Sequence, residues 1–512
     1  MLAAADATEI EALRKELREL RARAEQLERR LGTLESGPAR TTNSPAPDHV
    51  VHDHGRHEHE TGAHAPAGHA THEHIGHEHA HGEGAHEHRW TPADPLHLGA
   101  EGSFINISLN VIGAAGTSTE RDVEELQLGA HDPNQRGFTL QNAELTLEGQ
   151  VDRYVRGQMN TVLFMTPEGG TEVELEEAYL ETLSLPWNLQ LKGGHFLSEF
   201  GRFNPTHPHA WDFVDAPLVN ARFLGPDGLR NPGARLSWRA PTPFKSELFL
   251  AVQNSHGETA HSFRSAGHAH GGEEEDELPF AFRHPDNDRG LRNVGDLLFV
   301  PRYVASFEPV ENQVVLAGAS AAFGPNASGA EDSSVTDTQI YGVDFTWNWR
   351  SPRAHGFPFL TFQAEAMLRK YETGAFDWDE DGNGAVSPGE LVDVATGLPA
   401  FFPGERLTDY GFYAQIVYGF HHRWLAGLRG DWVGSDEADY ERRALSLDGE
   451  RLGRDPMRAE RWRISPNLTW FPSDFTKVRL QYNYDHRAEM GEDHSVWLQF
   501  EFLLGAHAAH KL

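Results

Sequence analysis

Cysteine is absent from the 512 residues, so no disulfide can form and any metal must sit on His, Asp, Glu or carbonyl oxygens. No stretch approaches the ~18 consecutive apolar residues of a helical membrane span. Hydrophobic residues make up 38 % of the chain and the mean hydropathy is −0.55. That leaves strands open as a way through a membrane, because they hide apolar residues in alternation. Basic residues are scarce: 44 Lys and Arg against 77 Asp and Glu give a net charge of −33, which argues against a nucleic-acid partner. No Gly-x-Ser-x-Gly elbow or phosphate loop occurs, and no nucleophile is paired with a base. A non-enzymatic role is expected. Met1 to Ala7 lacks a basic n-region, and its small residues read as the tail of an export leader.

What is present is alternation with period two. Trp462, Ile464, Leu468 and Trp470 interleave with Arg463, Ser465, Asn467 and Thr469; Val478, Leu480, Tyr482 and Tyr484 interleave with Lys477, Arg479, Gln481 and Asn483. Val496, Leu498, Phe500 and Phe502 oppose Gln499 and Glu501, and the pattern returns at Ile105–Asn110, Ala143–Glu148, Ala234–Arg239, Tyr341–Trp347 and Phe412–Tyr418. A strand sends alternate side chains to opposite faces. An aromatic-rich face opposite full charges suits a transmembrane antiparallel β-barrel, all-β, of about 16–18 strands, with a water-filled lumen unless loops fold in.

Three zones follow. Residues 6–35 carry Ile10, Leu13, Leu17, Leu20, Ala24, Leu27, Leu31 and Leu34 on a strict a/d seam, an oligomerisation coiled coil for which a homotrimer is expected. Residues 36–95 are low in complexity and are expected to be a disordered linker. There His52, His54, His57, His59, His72, His74, His77, His79, His81, His86 and His88 recur among acidic residues, a pattern for loose binding of Zn²⁺ or another divalent transition metal. Residues 96–512 form the barrel.

The run Gly193-Gly194-His195-Phe196-Leu197-Ser198-Glu199-Phe200-Gly201-Arg202-Phe203-Asn204, followed by His207-Pro208-His209-Ala210-Trp211-Asp212-Phe213-Val214-Asp215-Ala216-Pro217, resembles bacterial outer-membrane porins of the phosphate-selective porin superfamily. It is closer to a His-rich branch sometimes labelled zinc-regulated outer-membrane receptors, which the tail Leu504 to Leu512 also resembles. The resemblance implies passage of small solutes across a Gram-negative outer membrane. Leu512 stands where such barrels usually end on an aromatic, and a coil and His tract stand where an energised receptor carries a plug. A porin is therefore the reading.

Asp379, Asp381, Asn383, Ala385, Ser387 and Glu390 occupy positions 1, 3, 5, 7, 9 and 12 of an EF-hand loop, with Gly384 at the sharp turn. A Ca²⁺ loop without paired helices is expected, with only Glu390 to Ala395 able to start one. His256, His261, His268 and His270, running into Glu273–Glu277, offer a weak cation-capturing loop. His195, His207 and His209 are candidates for a metal or constriction site. Arg235, Arg239, Glu365, Arg429, Asp431, Arg463, Lys477, Arg479 and Glu501 are expected to line the pore. The function expected is a channel for small solutes linked to zinc acquisition, in contact with outer-membrane lipid, its N-terminal region periplasmic. The alternatives are a metal-buffering protein anchored by a barrel and an energised metal receptor without a standard plug.

Overall fold

A computed structural model describes residues 96–505 apart from 101–102, 167–168, 258, 265–279, 284–289, 329–335, 354–355, 380–381 and 489. The coiled coil and the His tract lie outside the described residues, as do His268, His270 and Asp381. Sixteen strands make the barrel. They are β1 (Ser103–Ser118), β2 (Gly137–Gln150), β3 (Val155–Met165), β4 (Thr171–Thr182), β5 (Leu189–Leu197), β6 (Arg230–Arg239), β7 (Lys245–Asn254) and β8 (Leu297–Phe307). β9 (Gln313–Pro325), β10 (Asp337–Arg350), β11 (Phe359–Glu372), β12 (Arg406–His421), β13 (Trp424–Ser435), β14 (Arg461–Ser473), β15 (Thr476–Arg487) and β16 (Gly491–Leu504) complete it. Each strand pairs antiparallel with its neighbours in sequence, and β16 closes the ring on β1. A short strand, Leu96–Ala100, folds back on the start of β1.

The two ends differ. Short turns at 151–154, 183–188, 240–244, 308–312, 351–358, 422–423 and 474–475 close one rim, while the other carries the short connections 166–170 and 488–490, the connection 326–336 and the longer segments 119–136, 198–229, 255–296, 373–405 and 436–460. Loops 373–405 and 436–460 share a four-stranded sheet, with Trp378, Leu391, Phe402, Tyr440 and Leu445 packed together.

The alternation maps onto the wall as expected. Ile105, Leu180, Leu248, Val343, Leu428 and Phe500, from strands all around the ring, are 42–61 % exposed. An apolar band that encircles a molecule far exceeds the few hundred Å² a soluble surface tolerates, so this face belongs in lipid. The inner face was expected to be polar throughout, and it is not. Ala251, Leu298, Val300, Ala322 and Ile340 point inward and are fully buried in one cluster with residues of 198–229.

A charge on the outer face should therefore cost what lipid exacts. Leu480→Arg is expected to weaken barrel folding into vesicles by about 2–4 kcal/mol relative to Leu480→Ser if it lies near the bilayer midplane. Urea titration in lipid vesicles reads this out; equal stabilities would place that face in water.

Candidate functional site: the inserted segment and its histidine–carboxylate cluster

Residues 198–229, between β5 and β6, fold into the barrel rather than over it. Ser198 N–H donates to the Leu229 carbonyl at 2.8 Å, and Asn204 Nδ2 donates to the carbonyls of both Ser198 and Leu229, so the segment's two ends are tied together. Phe200 packs over Gly342 of β10, where a Cβ would lie 2.8 Å from the ring. Gly201, at φ +61°, sits against the Glu365 carboxylate so closely that no side chain fits. Pro217 leads into a short helix, Leu218–Leu224, whose Leu218, Val219, Phe223 and Leu224 join Phe196, Phe263 and Val433 in the inner apolar cluster.

A backbone buried inside a barrel needs partners for its amides and carbonyls, and the charged wall supplies them. Arg479 donates to the carbonyls of Trp211 and Phe213 at 2.8 and 3.0 Å, Lys477 to that of His209 at 3.2 Å, and Asn467 to that of Asp212 at 2.9 Å. Glu365 accepts from the amides of Arg202 and Phe203, and Asp431 from that of Leu218 at 3.1 Å. Asp215, with no exposed surface, is the firmest anchor. Its carboxylate takes Arg429 at 2.6 Å, Arg463 at 2.9 Å, Gln481 at 3.0 Å and Asn483 at 2.7 Å, groups from β13, β14 and β15. The pairs continue as a ladder, Arg461–Asp485–Arg463–Asp215–Arg429–Asp431, with steps of 2.6–2.9 Å.

This corrects the expectation of a charge-lined aqueous pore. Arg235, Glu365, Arg429, Asp431, Arg463, Lys477, Arg479 and Glu501 do point inward, but each is at most 4 % exposed. Arg235 pairs with Glu199 of the segment, and Glu501 holds Lys477. Arg239, at the turn end of β6, is exposed.

On the wall formed by β2 and β4 two histidines meet a set of carboxylates. His207 Nδ1 lies 2.8 Å from Glu176 Oε2 and 3.9 Å from Glu144 Oε1, while its Nε2 lies 3.0 Å from Glu177 Oε2. His209 Nδ1 contacts the other Glu144 oxygen at 3.1 Å, and the two imidazoles stack with centroids 5.7 Å apart. Glu176 and Glu177 both face inward because the β3–β4 register slips by one residue there. Such a bulge re-aims a side chain, and bulges gather beside functional sites. A second bulge turns both Gln141 and Asn142 of β2 inward. His131, in loop 119–136, stands 3.8 Å from both Glu176 Oε1 and Asp227 Oδ1, with Glu174 close by. Burial alone would lower the His207 pKa, but Glu176 and Glu144 beside it raise it well above the usual imidazole range. Of the residues singled out in the sequence, His207 and His209 belong to this cluster and His195 lies outside it; His131, Glu144, Glu174, Glu176 and Glu177 were not foreseen as a site.

The EF-hand-like loop lies within 373–405, as expected. Asp379 Oδ2 accepts from the Gly384 amide at 2.9 Å and Glu390 Oε2 from that of Ser387 at 2.8 Å; Asn383 Oδ1 caps the Ala385 amide. The loop lacks paired helices: the stretch after Glu390, the only one able to start a helix, forms a strand, Leu391–Asp393, that pairs with Leu445–Leu447 of the neighbouring loop. His256 is exposed, bridging to Arg264, and His261 is half-buried against Gly225.

No family model matches this chain. A protein of Aquifex aeolicus (strain VF5), described as uncharacterized, is 29 % identical over 431 residues, covering 79 % of each chain. Among solved structures, the outer-membrane channel DcaP of Acinetobacter baumannii is 14 % identical with a TM-score of 0.46, covering 79 % of this chain and 98 % of that one. Pseudomonas putida OprB is 10 % identical at a TM-score of 0.45, over 78 % of this chain and 94 % of that one. Salmonella typhi OmpF is 10 % identical at 0.43, over 80 % and 100 %. The chain is a transmembrane antiparallel β-barrel.

Asp132, which accepts from the amides of Gly129 and Ala216, makes the anchor's seat sensitive to pH. Burial, and the Asp215 carboxylate beside it, push its carboxyl from 3.8 up to about 7. The folded state then holds this proton more tightly than the unfolded chain, so its stabilising contribution is lost as pH rises from about 4 to about 7. His207 adds a loss of the same sign at higher pH, above its ordinary 6.5. Asp132→Asn is expected to flatten the fall in thermal midpoint between pH 5 and pH 7. Parallel wild-type and variant curves would remove Asp132 as its source.

Proposed function

We propose that this chain is a Gram-negative outer-membrane channel for small solutes, tied to acquisition of divalent metal, zinc foremost, with residues 198–229 as its constriction. The observation that carries the reading is a closed, lipid-facing barrel whose interior holds a chain segment bearing histidines against carboxylates. Short turns face the periplasm in outer-membrane barrels, and β1 begins at that rim. The coiled coil and His tract then lie on the periplasmic side, the tract gathering metal and the coil joining copies as a trimer. The loop Asp379, Asp381, Asn383, Ala385, Ser387 and Glu390 takes Ca²⁺ and stiffens the sheet shared by the outer loops. The hydrogen bond from Gly384 to Asp379 holds its first and sixth positions in the folded-over form such a loop needs.

Planar-bilayer recording of the purified full chain, with and without Zn²⁺, tests this. Wild type is expected to give unit conductance steps. Asp215→Ala, which leaves Arg429 and Arg463 without their shared carboxylate, is expected to give larger or longer steps. Absence of steps in both proteins would sink the channel reading. Deleting residues 36–95 separates it from metal buffering, since a channel keeps conducting without the tract.

A further inference from the structure

His207, Glu144 and Glu176 are 4 %, 1 % and 3 % exposed, and one ligand atom from each falls within 4.8 Å of the others. A tetrahedral zinc with bonds of about 2.0–2.1 Å sets its ligand atoms roughly 3.3 Å apart. The 2.8 Å and 3.9 Å from His207 Nδ1 to the two carboxylates bracket that spacing, so small side-chain shifts would close the set. The cluster also carries the outer contacts that a metal site uses. The far nitrogen of His207 faces Glu177 at 3.0 Å, the carboxylate–imidazole pairing that orients metal-bound histidines. Glu144 is itself oriented, by Asn160 and by Thr146 on one oxygen and His209 on the other.

A further observation points to a ligand. His131, 4 % exposed, has an Nε2 without a hydrogen-bond partner, 3.8 Å from the oxygen of Glu176 that His207 does not use. Three buried carboxylates converge on His207; His209 also contacts Glu144 and the Arg230 guanidinium lies 4.0 Å from Glu176, so their charge is partly met, and a divalent cation in place of the His207 proton would offset more of the remainder.

We infer that His207, Glu144 and Glu176 form a divalent-metal site inside the barrel, with Glu177 and His209 as its orienting partners. Imidazole with carboxylate oxygens, and no thiolate, fits Zn²⁺ or a neighbouring first-row dication. The adjoining trio His131, Glu174 and Asp227 is the poorer holder, because the Arg230 guanidinium pairs with Glu174. Glu176 lies between the two groups, 3.8 Å from His131. The site deepens the channel reading by placing the metal in the lumen, 119 residues beyond the last tract histidine His88.

Zinc-edge anomalous diffraction from crystals of the full chain, grown over a series of Zn²⁺ concentrations, locates ions irrespective of what the tract binds. A peak between His207 Nδ1, Glu144 and Glu176 is expected, absent in His207→Asn. Glu177→Gln, which keeps all three ligands, is expected to raise the zinc concentration for half occupancy about 10–100-fold. No peak in wild type at millimolar zinc, or a peak unchanged in His207→Asn, would overturn the site. Zinc bound here without channel steps would leave the site standing and remove the channel; steps without a peak would do the reverse.

Discussion

A segment of chain threaded into a barrel must find a partner for every buried amide and carbonyl, and the Asp215 carboxylate is where that requirement is met most completely. Removing a carboxylate from water costs several kcal/mol, and the cost is offset only when good geometry and further hydrogen bonds satisfy every lone pair. Asp215 has two guanidinium groups and two carboxamides around it, all within 3.0 Å. The guanidinium groups of Arg429 and Arg463 hold its carboxyl below its ordinary range despite burial. Neighbouring residues His209, Trp211, Asp212 and Phe213 then hand their carbonyls to Lys477, Arg479 and Asn467. One anchored carboxylate thus aligns a run of backbone with the charged strands β13 to β15.

The rest of the interior divides by chemistry around that alignment. Towards β7 to β10 Phe200 and Phe263 bury against inward Ala, Val, Leu and Ile side chains, and the helix Leu218–Leu224 continues this small hydrophobic core onto β11 to β13. Towards β2 and β4 the same segment presents His207 and His209 to Glu144, Glu176 and Glu177. The segment therefore positions the histidines because its other face is fixed twice, by apolar packing and by the Asp215 ladder. Loosening either should move the imidazoles relative to the carboxylates.

The barrel itself was legible in the sequence, because alternation over ten or so residues is a local property. Ile464, Leu480 and Phe500 face lipid and Arg463, Arg479 and Glu501 face inward, as the period of two requires. What those inward charges touch was not legible. Arg463 and Asp215 are 248 residues apart, and nothing near either announces the other. Taken strand by strand, an inward Arg reads as pore lining; only the inserted segment turns it into a clasp. The motif residues Phe200, Gly201, Asn204 and Asp215 did stand out as a family-like run, and each has a task in seating the segment. Glu176 and Glu177 carried a usable signal: the apolar positions Val173 and Leu175 fall out of phase with Leu180, the mark of a bulge. That signal was masked by the acidic look of the whole stretch. His131 carried none, since a lone His before Asp132 and Pro133 reads as turn.

The central claim is that residues 198–229 occupy the barrel interior in the membrane. The absence of native cysteine makes a cross-link the most direct measurement. Val219 of the segment and Val433 of β13 are both fully buried and both press on Gly411. In outer-membrane fractions carrying Val219→Cys and Val433→Cys together, an inserted segment predicts a disulfide under mild oxidation and no labelling of either thiol by an impermeant maleimide. Ready labelling of Val219→Cys with no cross-link would contradict it.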